Sequence, residues 1–309
     1  IPRIQSLARL LVLTYLTLTV ACITSYWLVG MTFFDAVNHA MATVSTGGFA
    51  TDDRSMGRFD APILWVSILF MILSALPFTL LIGFARRPSL ALLNNQQVLG
   101  FFGIIVAVTL LLTVDLINLN LFTPYEAVTK AAFNLVSVIT TTGFAADDYT
   151  QWGTFGIALF FVVTFIGGCS GSTSGGMKVF RFQLSYLFLR TQIRKLVHPN
   201  GIFVTQYNGK PVQDDIILSA IAFSFLFFLT LAIVTLLLAM MGLDLLTSLT
   251  AAATALTNVG PGLGEIIGPA GNFASLPDAA KWLLSLAMLM GRLELLTLMV
   301  LFTPMFWRG

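Results

Sequence analysis

The sequence predicts an all-α polytopic membrane protein, and three observations carry that prediction. Of its 309 residues, 57% are hydrophobic and only 10% are charged, with a mean hydropathy of +0.90, whereas about a quarter of the residues in soluble domains are charged. Long apolar runs exceed the roughly 20 residues that cross a bilayer core. Between those runs, apolar segments that break at glycine recur along the chain.

Six apolar stretches are candidates for membrane-spanning helices. They cover residues 10–34, 61–85, 88–125, 149–177, 216–243 and 282–306. The first follows Arg3 and Arg9, as in a signal peptide, but the run is too long for a signal sequence. It also ends in Tyr26 and Trp27, an aromatic pair typical of the membrane interface. We therefore interpret it as a spanning helix.

Three shorter apolar pieces lie between these stretches, at about 34–49, 125–144 and 244–262. They begin with Asp35, Glu126 and Asp244, and an acid is favourable at the positive N-terminal end of a helix. Each piece then breaks at glycine. Irregular backbone is tolerated at membrane depth only where protein buries it or where it lines water. The pieces are therefore expected to be pore helices that enter from the outer face, each with a loop at its tip.

The distribution of charge supports this topology. If the chain starts inside, the inner segments are 1–9, 85–97, 181–215 and 308–309, and they are predominantly basic. The outer segments are predominantly acidic. This asymmetry agrees with the positive-inside rule, and acids around the outer mouth would concentrate cations there.

The chain divides into three similar units, 1–92, 93–197 and 210–309. Each reads as helix, pore helix, glycine-bearing loop and helix, and we call loops 45–49, 140–144 and 257–262 the three glycine loops. The first reads Ser-Thr-Gly-Gly-Phe and the second Thr-Thr-Thr-Gly-Phe, while the third is looser, with Pro261 in place of phenylalanine. Repetition of this kind predicts one structural unit reused around an axis, here a central pore.

The three glycine loops predict a selectivity filter for a dehydrated monovalent cation. Glycine reaches unusual backbone conformations, and rings of carbonyl oxygens replace the water shell of such an ion. No carboxylate lies within the loops, which disfavours a divalent-cation site. The candidate filter residues are Ser45, Thr46, Gly47, Gly48, Thr140, Thr141, Thr142, Gly143, Thr257, Asn258, Val259 and Gly260.

A run of small and polar residues interrupts the fourth apolar stretch at 167–176. Each glycine costs a helix about 1 kcal/mol relative to alanine, so the run is expected to leave the helix and form a movable gate that lines the pore. The alternative is a plain kink followed by a cytosolic turn. The candidate gate residues are Gly167, Gly168, Cys169, Ser170, Gly171, Ser172, Thr173, Ser174, Gly175, Gly176, Lys178 and Arg292.

Two basic residues and one histidine leave alternatives open. Arg292 is expected about ten residues into the last stretch, where a lone arginine costs at least about 2.5 kcal/mol. It either faces the pore and holds back cations or pairs with carboxylates or carbonyls inside the bundle. Lys178 either contacts the gate or extends to the inner surface, and the second interpretation is preferred. His39, within a pore helix, is expected to be packed or hydrogen-bonded.

Taken together, these motifs resemble the Trk/Ktr/HKT superfamily of potassium transporters, and most closely its bacterial TrkH-type membrane subunit. The resemblance covers the whole chain and rests on the three glycine loops, the 167–176 run and the ending Leu301-Phe-Thr-Pro304. It implies four helix–pore helix–helix repeats around one pore, of which this chain shows the last three. The chain is therefore expected to be a fragment of a longer protein, or to be completed by a separate chain.

The resemblance also implies a function. That function is potassium uptake through a channel-like pore in the bacterial inner (plasma) membrane, with K⁺ bound at the filter residues and no organic cofactor on this chain. It implies an intramembrane loop at 167–176 that moves on activation, and a basic residue at the place of Arg292 that forms part of the barrier. Glycine at positions 48, 143 and 260 goes with potassium in this family. The implied partners are a second copy in a homodimer, a cytosolic nucleotide-binding regulatory subunit and the lipid bilayer.

Other functions fit the sequence less well. A sodium-selective or cation-coupled secondary transporter of the same superfamily remains the alternative, because broken helices also build such sites. An intramembrane enzyme needs a convergent acid, base or nucleophile, and the sequence offers none at convincing spacing. A net charge of +2 disfavours a nucleic-acid binder. Two cysteines and two histidines leave little for a zinc or haem site.

Overall fold

The structure, a computed structural model, describes residues 2–86, 94–201, 203–293, 300 and 306–307. The described part is mostly α-helical, which confirms the all-α class. The helices are α1 Pro2–Leu28, α2 Phe33–Val44, α3 Ala61–Ala75, α4 Phe78–Arg86, α5 Gln96–Asn118, α6 Pro124–Ile139, α7 Gly153–Thr164, α8 Val179–Val197, α9 Asp214–Met240, α10 Leu245–Thr257 and α11 Asp278–Arg292. Two strands, β1 Gln206–Tyr207 and β2 Lys210–Pro211, form an antiparallel hairpin between α8 and α9.

Long apolar helices mark the chain as a membrane protein. Within the described residues, Ile4–Leu28, Gln96–Asn118 and Asp214–Met240 are each long and apolar enough to cross a bilayer. Helices α3 and α4 pass the same test only as a pair, and they are bent by 100° at their junction. Six continuous spanning helices were expected, whereas the described residues contain three, or four if the bent pair counts as one span.

The bend between α3 and α4 has a local cause. Pro77 lacks a backbone N–H and disfavours helical backbone in the residue before it. Leu76 accordingly is extended, with ψ of 155°. The expectation of one continuous helix over 61–85 was therefore wrong.

The 149–177 stretch is interrupted as the sequence predicts, since helix α7 ends at Thr164, just before the 167–176 run. The last expected span differs from the structure. Helix α11 begins at Asp278 rather than at residue 282, so Arg292 is the last residue of α11 instead of lying about ten residues into a longer helix. The ending Leu301–Pro304 lies outside the described residues.

The short helices α6 and α10 lie in the interior of the bundle, and α2 buries seven of its twelve residues. Every residue of α6 from 131 to 139 is buried, and α10 is buried over Thr250–Thr257. Small side chains allow this close packing: a methyl group added to Gly291 of α11 would lie 1.9 Å from the carbonyl oxygen of Leu256 in α10. Membrane helices associate in this way because small residues let their backbones approach.

Each short helix has an acid at its N-terminal end, as the sequence predicts: Asp35 and Glu126 lie in the first turns of α2 and α6, and Asp244 is the N-cap of α10. Asp244 accepts a hydrogen bond from the Thr247 amide at 3.0 Å. Glu126 accepts from the amide and the hydroxyl of Thr123 at 3.1 and 2.9 Å. These hydrogen bonds hold the pKa of each of these carboxyls below its ordinary value, so both carry negative charge at neutral pH.

Asp35 of α2 is the most buried of the three acids, at 7% exposure. The hydroxyls of Thr51 and Thr32 donate to it at 2.6 and 2.8 Å, and Arg58 forms a 2.6 Å ion pair with it. The hydrogen bond from Thr51, then that from Thr32 and the charge of Arg58, lower the pKa of Asp35, although burial opposes them.

We predict that Asp35→Asn destabilises the fold by about 1.5–3 kcal/mol near neutral pH, because hydrogen bonds to a charged group are lost. The folded-state pKa lies below the ordinary value of about 3.9. The carboxylate therefore stabilises the fold fully above that value and ceases to do so as the pH falls through the lowered pKa. Thermal unfolding of the purified protein between pH 7 and pH 3 measures this: the gap between wild type and variant should close with acid. Asp53→Asn, at an exposed position of the same loop, is the control, and an equal pH-independent loss in both variants would contradict the assignment.

Candidate functional site

The three glycine loops share one backbone conformation. The second residue of each loop is left-handed, with φ of 52° at Thr46, 56° at Thr141 and 58° at Asn258. Two positions later each loop has a glycine with positive φ, at Gly48, Gly143 and Gly260. The positions that correspond among the three loops in the sequence therefore have matching backbone conformations.

Each loop also closes the preceding short helix in the same way. The amide of Gly47 donates to the Ala42 carbonyl at 2.7 Å, and that of Thr142 to Ser137 at 2.9 Å; Val259 and Thr254 make the third such pair at 3.1 Å. A hydrogen bond of this span after a left-handed residue is the Schellman motif, which usually has glycine at the left-handed position. Threonine and asparagine there cost of order 1–3 kcal/mol and persist only where the surroundings enforce them.

The three loops lie against one another in chain order. A methyl group added to Gly48 would lie 2.1 Å from the Thr142 carbonyl oxygen, and one added to Gly143 would lie 1.9 Å from that of Val259. Gly260 differs, since its nearest such neighbour is the Cα of Gly143 at 4.0 Å. The structure therefore brings the three predicted glycines together in an arc, with each glycine packed on the next loop's carbonyl until Gly260, where the arc is open.

The 167–176 loop is hydrogen-bonded to all three glycine loops. It separates α7 from α8 and is not a kink within one helix. The Thr46 hydroxyl donates to the Thr173 carbonyl at 3.1 Å, and the Gly175 amide donates to the Thr141 hydroxyl at 2.6 Å. The Gly176 amide donates to the carbonyl of Thr257 at 3.0 Å.

The opposite side of this loop is anchored at the bend between α3 and α4. The Cys169 amide donates to the carbonyl of Ala75 at 2.9 Å, and the Phe78 amide donates to that of Gly171 at 3.0 Å. The Ser170 amide also donates to the side-chain oxygen of Gln97 in α5 at 3.2 Å. The bend between α3 and α4 thus supplies hydrogen-bond partners to the irregular backbone of the 167–176 loop.

Lys178 contacts the loop instead of the inner surface. Its ammonium donates to the carbonyl of Ser174 at 2.5 Å, and its own backbone has φ of 65°. The preferred expectation that it extends to the inner surface was therefore wrong. Lys178, Arg181 and Arg292 line one cavity of about 300 Å³ together with the loop, so three cationic side chains border a single space. The Arg181 guanidinium also stacks over Phe223, 3.9 Å from its ring centre.

One residue behind the first glycine loop, Tyr26, has a different environment from the one that the sequence predicts. Tyr26 is fully buried rather than at the membrane interface, and its hydroxyl bonds those of Thr43 and Ser67, both at 2.8 Å. Trp27, its neighbour, is 57% exposed. His39 is packed and hydrogen-bonded as expected, with Nδ1 2.8 Å from the Asp35 carbonyl. No local pattern distinguishes Tyr26 from an interfacial tyrosine.

Two acids in the segments that follow the first and second glycine loops form ion pairs with neighbouring cations. Asp52 bonds Arg54 and Arg58, each at 3.3 Å, and Asp147 forms a 3.0 Å ion pair with Lys130. Pairing lowers the negative potential that these carboxylates present to solvent. Among the described residues, no three or more His, Cys, Asp or Glu side chains are grouped to hold a metal ion.

The chain is similar to known transport proteins over nearly its whole length. A family model described as TrkH, cation transport protein, matches residues 1–308. The chain is 53% identical over 310 residues to the Trk system potassium uptake protein TrkI of Halomonas elongata, covering 99% of this chain and 63% of that relative. It is 38% identical over 315 residues to the Trk system potassium uptake protein TrkH of Vibrio parahaemolyticus, covering 100% of this chain and 64% of that relative. The chain thus spans less than two thirds of the length of these relatives.

A solved structure has the same fold. The crystal structure of the potassium transporter TrkH from Vibrio parahaemolyticus matches with a TM-score of 0.94 and 38% identity. The match covers 100% of this chain and 66% of that one. The matched family consists of transport proteins rather than enzymes, in agreement with the sequence prediction.

We predict that Gly143→Ala destabilises the protein because the new methyl group collides with the carbonyl of Val259. Gly242→Ala is the matched control, since Gly242 also has positive φ but nothing lies within 4 Å of the added methyl. Both variants carry the backbone penalty of about 1–2 kcal/mol, and only the first adds overpacking of about 1–3 kcal/mol. Thermal unfolding in detergent measures the difference, and equal losses would contradict the close approach of the loops.

Proposed function

Because the chain belongs to the TrkH family of cation transport proteins, we propose that it forms most of a potassium uptake pathway across the bacterial inner membrane, which it crosses several times. Relatives named as potassium uptake proteins support this ion and this direction. The observation that carries the proposal is the arc of three glycine loops, all bonded to one intramembrane loop.

The proposed architecture is three helix–pore helix–helix repeats, 1–92, 93–197 and 210–309. Helices α2, α6 and α10 are the pore helices, and their shared caps and loop conformations support equivalence of the repeats. Gly48 and Gly143 each pack against a carbonyl of the following glycine loop. Among the described residues, Gly260 has no such carbonyl neighbour. A fourth unit is proposed on this open side, supplied by a longer protein or by a separate chain.

The filter is proposed to be the twelve loop residues identified in the sequence, from Ser45 to Gly260. Their carbonyl oxygens replace the hydration shell of K⁺, which is the transported ion. The C-terminal ends of α2, α6 and α10 meet at these loops, and their aligned peptide dipoles carry partial negative charge there. That field favours a cation without a fixed carboxylate, which agrees with a monovalent ion. No organic cofactor is proposed for this chain.

The 167–176 loop is proposed to be the gate, with Lys178 and Arg292 beside it. In the present arrangement it is held by hydrogen bonds to all three glycine loops. Opening requires those bonds to break, and the three cationic side chains around the adjoining cavity raise the energy of a passing cation. Helix α8 begins at Val179, directly after this segment, so movement of α8 would be transmitted to the loop.

The proposed partners are a second membrane subunit in a homodimer and a cytosolic nucleotide-binding regulatory subunit. The names of the relatives place them in a Trk system, which supports association with other components. A cytosolic partner is proposed to bind the inner surface formed by α8 and the β1–β2 hairpin. From there α8 leads directly to the 167–176 loop.

Flux of Rb⁺ and Na⁺ into liposomes that contain the complete protein tests the function. Rubidium replaces potassium at a carbonyl filter, so we expect Rb⁺ uptake at least about tenfold faster than Na⁺ uptake. Gly48→Ala should abolish uptake, because its methyl group would lie 2.1 Å from the Thr142 carbonyl oxygen, whereas Gly30→Ala, with positive φ and open space, should retain it. Equal Rb⁺ and Na⁺ uptake would favour the sodium-selective or cation-coupled alternative.

A second experiment tests the gate. Thr141→Val removes the hydroxyl that accepts the Gly175 amide, and such a bond contributes about 0.5–1.5 kcal/mol. If the bond forms only in the closed state, basal Rb⁺ uptake should rise roughly two- to tenfold.

Thr129→Val is the matched control for this experiment. It lies in α6, the helix that ends just before the loop of Thr141, and is buried, but its hydroxyl donates to the Tyr125 carbonyl one turn away. Uptake that is unchanged in Thr141→Val, or raised equally in both variants, would remove the loop from the gating mechanism.

A further inference from the structure

An apolar groove of about 760 Å³ lies between α5, α7, α8 and α9, away from the three glycine loops. Its walls are formed by aliphatic and aromatic side chains. They include Ile104, Val162, Phe165, Val179, Phe182 and Phe228. A groove of this composition in a membrane protein is suited to a hydrocarbon chain.

One end of the groove is closed by a polar clamp that ties the β1–β2 hairpin to two helices. Gln183 of α8 donates to the Gln96 carbonyl at 2.8 Å, and the Tyr207 hydroxyl donates to the Gln183 side-chain oxygen at 2.7 Å. The Gln96 amide donates to the side chain of Asn208 at 2.8 Å. These polar groups satisfy one another, so the clamp fixes the shape of the groove.

Two basic side chains lie on the elements that form that same end. Arg190 is exposed on α8, one turn beyond the groove-lining Tyr186, and Lys210 is exposed on the hairpin that carries Tyr207. The groove is therefore apolar along its length and basic at its mouth, which is the pattern that an anionic phospholipid matches.

The length of the groove corresponds to one leaflet. Along α5 its lining runs from Gln96 to Ile104, which is about 12 Å at 1.5 Å per residue. A bilayer core is about 30 Å thick, so the groove reaches slightly less than half of the way across it. In the orientation of the proposed function, on which this step rests, the Gln96 end faces the inner surface.

We propose that this groove binds one acyl chain of an anionic phospholipid from the inner leaflet, with the headgroup beside Arg190 and Lys210. A second copy of the chain fits less well, because a twofold contact through this mouth would bring basic side chains against their counterparts. A phosphate headgroup complements the same charges.

The occupied groove would contact both ends of the 167–176 loop. Phe165 and Ile166 precede that loop directly, Val179 follows it closely, and all three line the groove. The bound lipid is therefore placed to stabilise one position of the loop, which makes the inner-leaflet composition a regulator of the proposed pathway.

Native mass spectrometry of the complete protein in mild detergent tests the site, with phosphatidylglycerol and phosphatidylcholine of identical chains as ligands. Each basic residue near a membrane surface contributes about 1 kcal/mol to anionic-lipid binding, so one phosphatidylglycerol should bind about thirtyfold more tightly than phosphatidylcholine. Arg190→Gln combined with Lys210→Gln should remove most of that preference.

A matched pair of variants tests the groove itself. Val162→Trp fills it and should weaken phosphatidylglycerol binding at least about tenfold, whereas Val114→Trp should leave binding unchanged. The two valines are 59% and 58% exposed, but only Val162 lines the groove. Melting temperatures close to that of the wild type establish that both variants are folded.

Three results would overturn the proposal. The first is that phosphatidylglycerol binds no more tightly than phosphatidylcholine, and the second is that the two tryptophan variants have equal effects on binding. The third is that Val162→Trp loses the dimer mass but still binds lipid, which would make the groove a protomer interface. Bound lipid is measured independently of ion flux. Failure of Rb⁺ uptake with intact lipid binding would therefore overturn the proposed function and not the lipid site.

Discussion

The structure depends on one constraint: non-helical backbone inside a membrane must find its hydrogen-bond partners within the protein. Here the irregular segments supply partners to one another. The 167–176 loop bonds the bend after Ala75 on one side and the ends of the three short helices on the other. The three glycine loops, the bend and the 167–176 loop therefore form one hydrogen-bonded unit.

The same unit determines which residues are tolerated. Gly48 and Gly143 each lie against a carbonyl of the neighbouring loop, where a side chain does not fit. The left-handed threonines carry a conformational cost, and their hydroxyls contact the 167–176 loop, with Thr46 donating and Thr141 accepting. The strained residues are thus also the ones that connect the arc to the loop, which links the energetics of the fold to the proposed gating.

Much of this arrangement could be predicted from the sequence. Charge-free runs predicted membrane helices, the acids Asp35, Glu126 and Asp244 predicted the starts of the short helices, and glycine predicted their ends. The helix starts follow from local chemistry, since the capping side chain and the backbone amide that it accepts from are three residues apart in each case: Glu126 and Thr123, Asp244 and Thr247, and Thr32 and Asp35.

Other features depend on contacts that are distant in the chain. The left-handed conformation of Thr46 and Thr141 is not a preference of threonine, and the burial of Tyr26 depends on Thr43 and Ser67. Lys178 is turned towards Ser174 by the fold of its own loop. Local patterns could not predict these features, because the partners are brought together only by the assembled bundle.

The most direct test of the central claim is anomalous diffraction from crystals of the complete protein soaked with Tl⁺, an electron-rich substitute for K⁺. We predict anomalous peaks on the axis enclosed by the three glycine loops, within contact distance of their carbonyl oxygens. The absence of peaks there, with Tl⁺ bound elsewhere in the protein, would contradict the account.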